Sequence, residues 1–301
     1  MVPVWILFTF MAVVAQTVRT AGQKQLSLTL DSMTVTFARF LFGLPFVLIY
    51  FSFLWTRNDV HPDPKLEFWI FCSLAAAAQI LATFLMVQLF RRRNFAVGIT
   101  YIRSEAFLTA FVGVLLFGEI LSLAAWVAIL TSVIGVLAMN AARNDNPGSG
   151  AFAWLASPSA VIGLSSGLLF AFASLFIRSA GLSLDHHNLI FSGATTLVTV
   201  VSLQTVSMGL WFVFKKRQAL AALMGQAKLG IFVGVTSALG SAGWFTAMTL
   251  EKASYVKALG QIELILALLV SLIFFKEKIE RLELFGVLFM CAGIFVLILS
   301  G

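Results

Sequence analysis

Ten stretches of about 20 predominantly apolar residues follow one another along the chain, at roughly 2–20, 33–55, 67–90, 96–117, 121–140, 159–177, 188–214, 229–250, 255–275 and 283–300. Each is long enough to cross a hydrocarbon core about 30 Å thick at 1.5 Å rise per residue. Only 11% of the 301 residues are charged and 60% are hydrophobic, whereas a soluble domain carries about 25% charged residues. Too little polar surface exists to cover a water-soluble globule. The expected fold class is therefore an all-α membrane protein with ten transmembrane helices.

The connections are short, as in antiparallel neighbouring helices, apart from RNDNPGSG at 143–150, which is rich in turn formers. This segment divides the chain into residues 1–142, a linker at 143–158, and residues 159–301. The halves resemble each other. VRTAG at 18–22 matches IRSAG at 177–181, and LTLD at 28–31 matches LSLD at 182–185. A shift of 158 residues superposes Glu105 on Glu263, Phe117 on Phe275, Glu119 on Glu277 and Gly135 on Gly293. Five helices is an odd number, so the second copy must enter the membrane from the opposite side. The reading is two inverted five-helix repeats, an architecture typical of secondary transporters.

Loop charge assigns an orientation. Connections after odd-numbered segments carry thirteen Lys/Arg (Arg19, Lys24, Arg91 to Arg93, Arg143, Lys215 to Arg217, Lys228, Lys276, Lys278 and Arg281). Those after even-numbered segments carry five (Arg57, Lys65, Arg178, Lys252 and Lys257). The positive-inside rule puts the first set in the cytoplasm and both termini outside. The net charge of +7 is accounted for in this way and requires no nucleic-acid partner. No basic residue precedes the first apolar run in MVPVWILFTF, the wrong order for a secretory signal. Cys72 and Cys291 lie far apart in apolar runs and read as small core residues.

Charge inside the membrane carries the functional signal. Glu105 and Glu263 fall about nine residues into the fourth and ninth segments, near the midplane, where a charge costs about 2.5–3.5 kcal/mol on insertion scales. Two such costs at equivalent positions point to a shared site, with protons as a candidate coupling ion. The competing reading is a structural glutamate copied by duplication. Arg39, Arg103 and Lys257 are intramembrane cations. Arg103 lies about 200° around the helix from Glu105, so the two do not share a face. Arg39 is placed to pair with Glu105 or Glu263, or to grip a substrate carboxylate or phosphate. Trp244 sits among small residues in GSAGWFTAM and either stacks on a planar substrate or packs. Gln16, Gln79 and Gln261 are lesser cavity candidates. Glu119 and Glu277 end their segments and read as structural turn carboxylates. Asp31 and Asp185 read as helix N-caps.

GLSSG at 163–167 fits G-x-S-x-G, with His186 and His187 downstream. An intramembrane serine protease would need Ser165 beside one of them, yet most of a membrane thickness separates them. Small-residue helix packing accounts for the glycines. No phosphate-binding loop and no clustered metal ligands occur, so neither ATP nor a cofactor is implied.

Two stretches are similar to a known family: ITYIRSEAFLTAFVGVLLFGE with AILTSVIGVLAMN, and LGQIELILALLVSLIFFKEKIERLELFGVLFMCAGIFVLIL. They resemble the EamA-type drug/metabolite transporter superfamily. Its repeats carry a Glu early in this helix, a Gly-Glu at its end and a glycine in the next helix. Here those are Glu105 and Glu263, Glu119 and Glu277, Gly135 and Gly293, and Arg39 matches the family's arginine in the second helix. Ala106 and Leu264 stand where the family often has proline, and Lys276 replaces the glycine of the second motif. The resemblance implies a ten-helix carrier in the plasma membrane, monomeric or homodimeric, moving amino acids, drugs or related metabolites outward, with termini in the cytoplasm. The expected function is secondary transport, most simply export of a small amphipathic metabolite. An organic-anion or sugar-nucleotide exchanger is the alternative, favoured if Arg39, Arg103 and Lys257 all face the cavity. A lipid-handling membrane protein is the reading from another class.

Overall fold

The computed structural model describes residues 3–92, 99, 101–123, 125–127, 129–131, 134, 158–274, 276, 289 and 292. Linker residues 143–157, Glu277, Gly135, Gly293, Phe275 and Cys291 lie outside the described residues, and so do half of the fifth segment and most of the tenth. The ordered elements are helices: α1 (Val4–Leu26), α2 (Ser32–Trp55), α3 (Leu66–Arg92), α4 (Glu105–Phe117), α5 (Pro158–Ser183), α6 (Leu189–Lys215), α7 (Arg217–Gly225), α8 (Ala227–Leu250), α9 (Ala253–Leu259) and α10 (Glu263–Ile273). Among the described residues seven helical stretches are long and apolar enough to span a membrane, the last running from Ala253 through Val270. The chain is an all-helical, multi-pass membrane protein. The short α7, nine residues long, lies in a connection where no helix was expected.

Packing is reciprocal between the halves. The first helix of the first half, α1, lies along α8, the third of the second half. The first helix of the second half, α5, lies along α3, the third of the first. Small residues permit the close approach that replaces a hydrophobic driving force between helices in lipid. A Cβ on Gly243 would come within 2.6 Å of the Phe8 carbonyl, and Gly234 lies against the backbone of Phe42 on α2. The glycines of GLSSG serve the same purpose. Gly163 lies against Tyr101, and a Cβ on Gly167 would meet the Ser104 hydroxyl at 2.7 Å.

Three expectations about helix ends change. The first helix continues to Leu26, past the polar stretch TVRTAGQKQL. It can do so because its polar groups face inward or are satisfied locally: Thr17 and Thr20 donate to the carbonyls of Val13 and Gln16. Arg19 is therefore a buried helical residue, 2% exposed. Arg178 and Lys257 also lie within helices. Removing these three from the loop count leaves twelve against three, with the same sign. Asp31 does cap α2, accepting from Met33 and Thr34 N–H at 3.0 and 3.1 Å. Asp185 does not cap α6. It takes a left-handed φ of 47°, and Asn188, three residues on, accepts from Ile190 and Phe191 N–H instead.

Candidate functional site

The two midplane glutamates are not in the middle of uninterrupted helices, as the spacing had suggested. Before Glu105 the backbone tightens, with Ser104 N–H donating to Tyr101 O at 3.4 Å and Ala106 N–H to Arg103 O at 3.3 Å. Before Glu263 there is a 3-10 turn at Gly260–Ile262. Each glutamate thus opens a new α-helix, α4 or α10. The backbone stays in the helical region through both places, and Ala253–Val270 forms one span, so each is a local tightening at the glutamate.

The cations complete a crossed arrangement. Arg103, just before α4, forms an ion pair with Glu263 at the start of α10. Lys257, on α9, forms one with Glu105 at the start of α4. Each pair joins one half of the chain to the other, and all four side chains are buried. Glu263 Oε2 also accepts from the Gln16 amide at 2.5 Å, and Gln16 Oε1 accepts from the Trp244 indole N–H at 2.7 Å. The Lys257 ammonium lies 4.4 Å from the Trp244 ring centroid, a cation–π contact. Trp244 is thus packed, 5% exposed, and braces two members of the charged cluster. On the other side Glu105 Oε1 accepts from the Ser174 hydroxyl at 3.3 Å.

These groups surround a narrow cavity of about 30 Å³, room for roughly two waters. Its lining includes Glu105, Glu263, Arg103, Lys257, Trp244, Gln16 and Gln79, together with Arg39 and Arg19. Gln261 is buried but is not part of the lining. Arg39 departs from expectation. Among the described residues it pairs with neither glutamate; its Nη1 donates to Thr83 Oγ1 at 2.9 Å. Arg19 was read as a loop charge and is instead a wall of the cavity. Its Nε and Nη1 are buried without a hydrogen-bond partner. The signal for it was present: Gln16, Arg19 or Thr20, and Gln23 recur at helical spacing, a polar face on an otherwise apolar helix.

The outer carboxylate Glu119 acts across the molecule and not only at its own turn. It accepts from Ala253 N–H at 3.2 Å and from the Ser254 hydroxyl, so it satisfies one free N–H and one side chain at the start of α9. Arg178, the counterpart of Arg19, lies 3.7 Å from Glu119 and donates to the carbonyls of Met248 and Glu251. Gly118 ends α4 at φ 65°, and Lys276, the residue in the equivalent place, adopts φ 53°. The second repeat has lost the glycine and kept the backbone. No hydrogen bond links Ser165 to either histidine among the described residues; His186 Nε2 lies 3.0 Å from the Val60 carbonyl.

The profile of the EamA-like transporter family matches residues 3–141 and again 157–299. The chain belongs to the EamA-like transporter family. No curated protein matches it in sequence. A solved crystal structure, described only as that of a protein, shares 13% identity with it at a TM-score of 0.69, covering 98% of this chain and 96% of that one. That likeness shows the fold. The EamA-like matches fall on the two halves that exchange ion-pair partners, so each pair draws one residue from each match. Family membership makes the protein a membrane transporter of the drug/metabolite type.

Proposed function

We propose that this EamA-like protein is a secondary carrier whose central cavity takes a small organic anion. One observation carries the reading: Arg19 and Arg39 line the cavity without a carboxylate partner among the described residues, while Arg103 and Lys257 are already matched to Glu263 and Glu105. An anionic group is what a pair of unmatched guanidiniums recognises, by charge-assisted and often bidentate hydrogen bonds. The cavity is too small for a metabolite as it stands, so loading requires the helices to part. The crossed ion pairs, each spanning the two halves, are where such a movement makes and breaks contact, in keeping with alternating access around a central site. A proton as coupling ion would have to displace a cation from Glu105 or Glu263. Outward movement is the direction the family resemblance supports.

One observation favours an amino acid as cargo. Glu263 Oε1 is buried without a hydrogen-bond partner, and an ammonium could use it while the carboxylate meets Arg39. The test is counterflow in proteoliposomes with labelled organic anions and labelled zwitterionic amino acids side by side. Faster counterflow of the anions supports the first reading; faster counterflow of the amino acids supports the second.

A further inference from the structure

The four cations of the cavity face only two carboxylates among the described residues, which leaves a surplus of two positive charges. Resting on the anion reading above, we infer that the cargo is a dianion and that the carrier works as an obligate, electroneutral exchanger. Arg19 is fully buried and lies within electrostatic reach of Arg39, Arg103 and both glutamates. Arg19 and Arg39 repel one another across an enclosed space, and among the described residues neither forms an ion pair with a carboxylate. Carrying such a surplus through the hydrocarbon region is costly, because an uncompensated charge in a low-dielectric interior loses its hydration with nothing in exchange. A dianion removes that surplus. The loaded cavity can then change sides, whereas the empty one is held at the side where it released its cargo until another dianion enters. Flux in one direction is thereby tied to flux in the other.

The repeats show why the surplus is specific to this cavity. Arg178, which matches Arg19 in the second half, is held by Glu119 and by the carbonyls of Met248 and Glu251. Arg19 has kept the charge without such partners among the described residues, where its Nε and Nη1 have no acceptor. Both Arg19 nitrogens are donors on the wall of the cavity, and an anion is what accepts from them.

The experiment uses the full chain in proteoliposomes at neutral pH. Labelled succinate, malate and glycerol 3-phosphate serve as dianions, lactate as a monoanion and leucine as a zwitterion. The expected result is that uptake of at least one dianion into vesicles preloaded with the same dianion exceeds uptake into vesicles holding only chloride by about tenfold or more. Its rate should not change under a potassium diffusion potential of either sign. Net uptake as fast as exchange, or exchange that follows the potential, overturns the inference while leaving an anion carrier. Exchange of lactate in preference to every dianion does the same. Leucine moving while no anion moves overturns both readings, and so does the absence of any counterflow. A second readout does not depend on choosing the right cargo. Arg19→Gln removes an uncompensated buried charge, so the empty protein should gain thermal stability in detergent, while Arg19→Lys should not. In vesicles Arg19→Gln should shift preference from dianions toward lactate. A lower Tm for Arg19→Gln would show that Arg19 holds the fold together and would overturn the surplus-charge argument.

Discussion

Arg103 and Lys257 each turn away from the glutamate of their own segment and reach that of the opposite half. Burial makes this exchange consequential. Removing one member of a buried pair strands the other charge, at a cost of about 3–5 kcal/mol, whereas removing both leaves neither stranded. Glu263→Gln and Arg103→Gln should therefore each lower the Tm of the purified protein sharply. The double variant should recover much of the loss, a coupling far outside additivity. Thermal unfolding in detergent measures all four proteins of the cycle; losses that simply add would mean that the pair is not an energetic unit. Glu263 is also held by Gln16, which Trp244 orients, so its position depends on a chain of three side chains drawn from α10, α1 and α8. The glutamates were legible in the sequence because a carboxylate in an apolar run is conspicuous. Their partners were not, because the cations do not repeat: Gln261 stands where the second half would match Arg103, and Ile99 where the first would match Lys257.

Helix ends show how the same repeat is finished differently in its two copies. At Asp31, partial burial works against the charged carboxyl, but the hydrogen bonds from the Thr34 hydroxyl and N–H, the nearby Lys216 and the Met33 N–H outweigh it, and the group is held below its ordinary value. A depressed carboxyl stabilises the folded state above its unfolded pKa and ceases to do so as pH falls through the folded one. Asp31→Ala should cost about 1 kcal/mol at neutral pH. The Tm gap from the parent should close as pH drops through the acid range, and a gap that persists there would mean that the carboxylate charge is not what caps α2. Lys276 makes the opposite point. Its φ of 53° is strained for a side chain bearing Cβ, by about 1–2 kcal/mol before the entropy of glycine in the unfolded chain is set against it. Lys276→Gly should raise stability by up to about 1 kcal/mol, read by the same melts; a loss would show that the lysine side chain holds the turn. The sequence marked Lys276 as a departure from the family pattern, and the left-handed backbone explains why glycine suits that place. It misplaced the cap of α6, because LSLD imitates LTLD while Asp185 adopts a left-handed φ and the helix starts after Asn188.

At the scale of the whole molecule the chain is two EamA-like halves packed reciprocally, α1 on α8 and α3 on α5, around a cavity lined by charge. The membrane class, the helical fold and the family were open to reading because run length, composition and the paired Glu motifs are local features. The content of the cavity was not, because it depends on which polar residues turn inward. Arg19 was counted as a loop charge since the polar stretch around it reads as the end of a helix, and only packing shows that α1 continues and buries it. That one residue moves the balance of the cavity from modestly to strongly positive, and with it the weight from a zwitterionic cargo to an anionic one. The most direct test of this account is proteoliposome counterflow with labelled organic anions and labelled amino acids, in the parent and in Arg39→Gln. The account predicts that anions are carried in preference to zwitterions and that Arg39→Gln, although it accumulates like the parent and melts no lower, loses most of the anion flux. Amino-acid counterflow that exceeds anion counterflow and survives Arg39→Gln would contradict it.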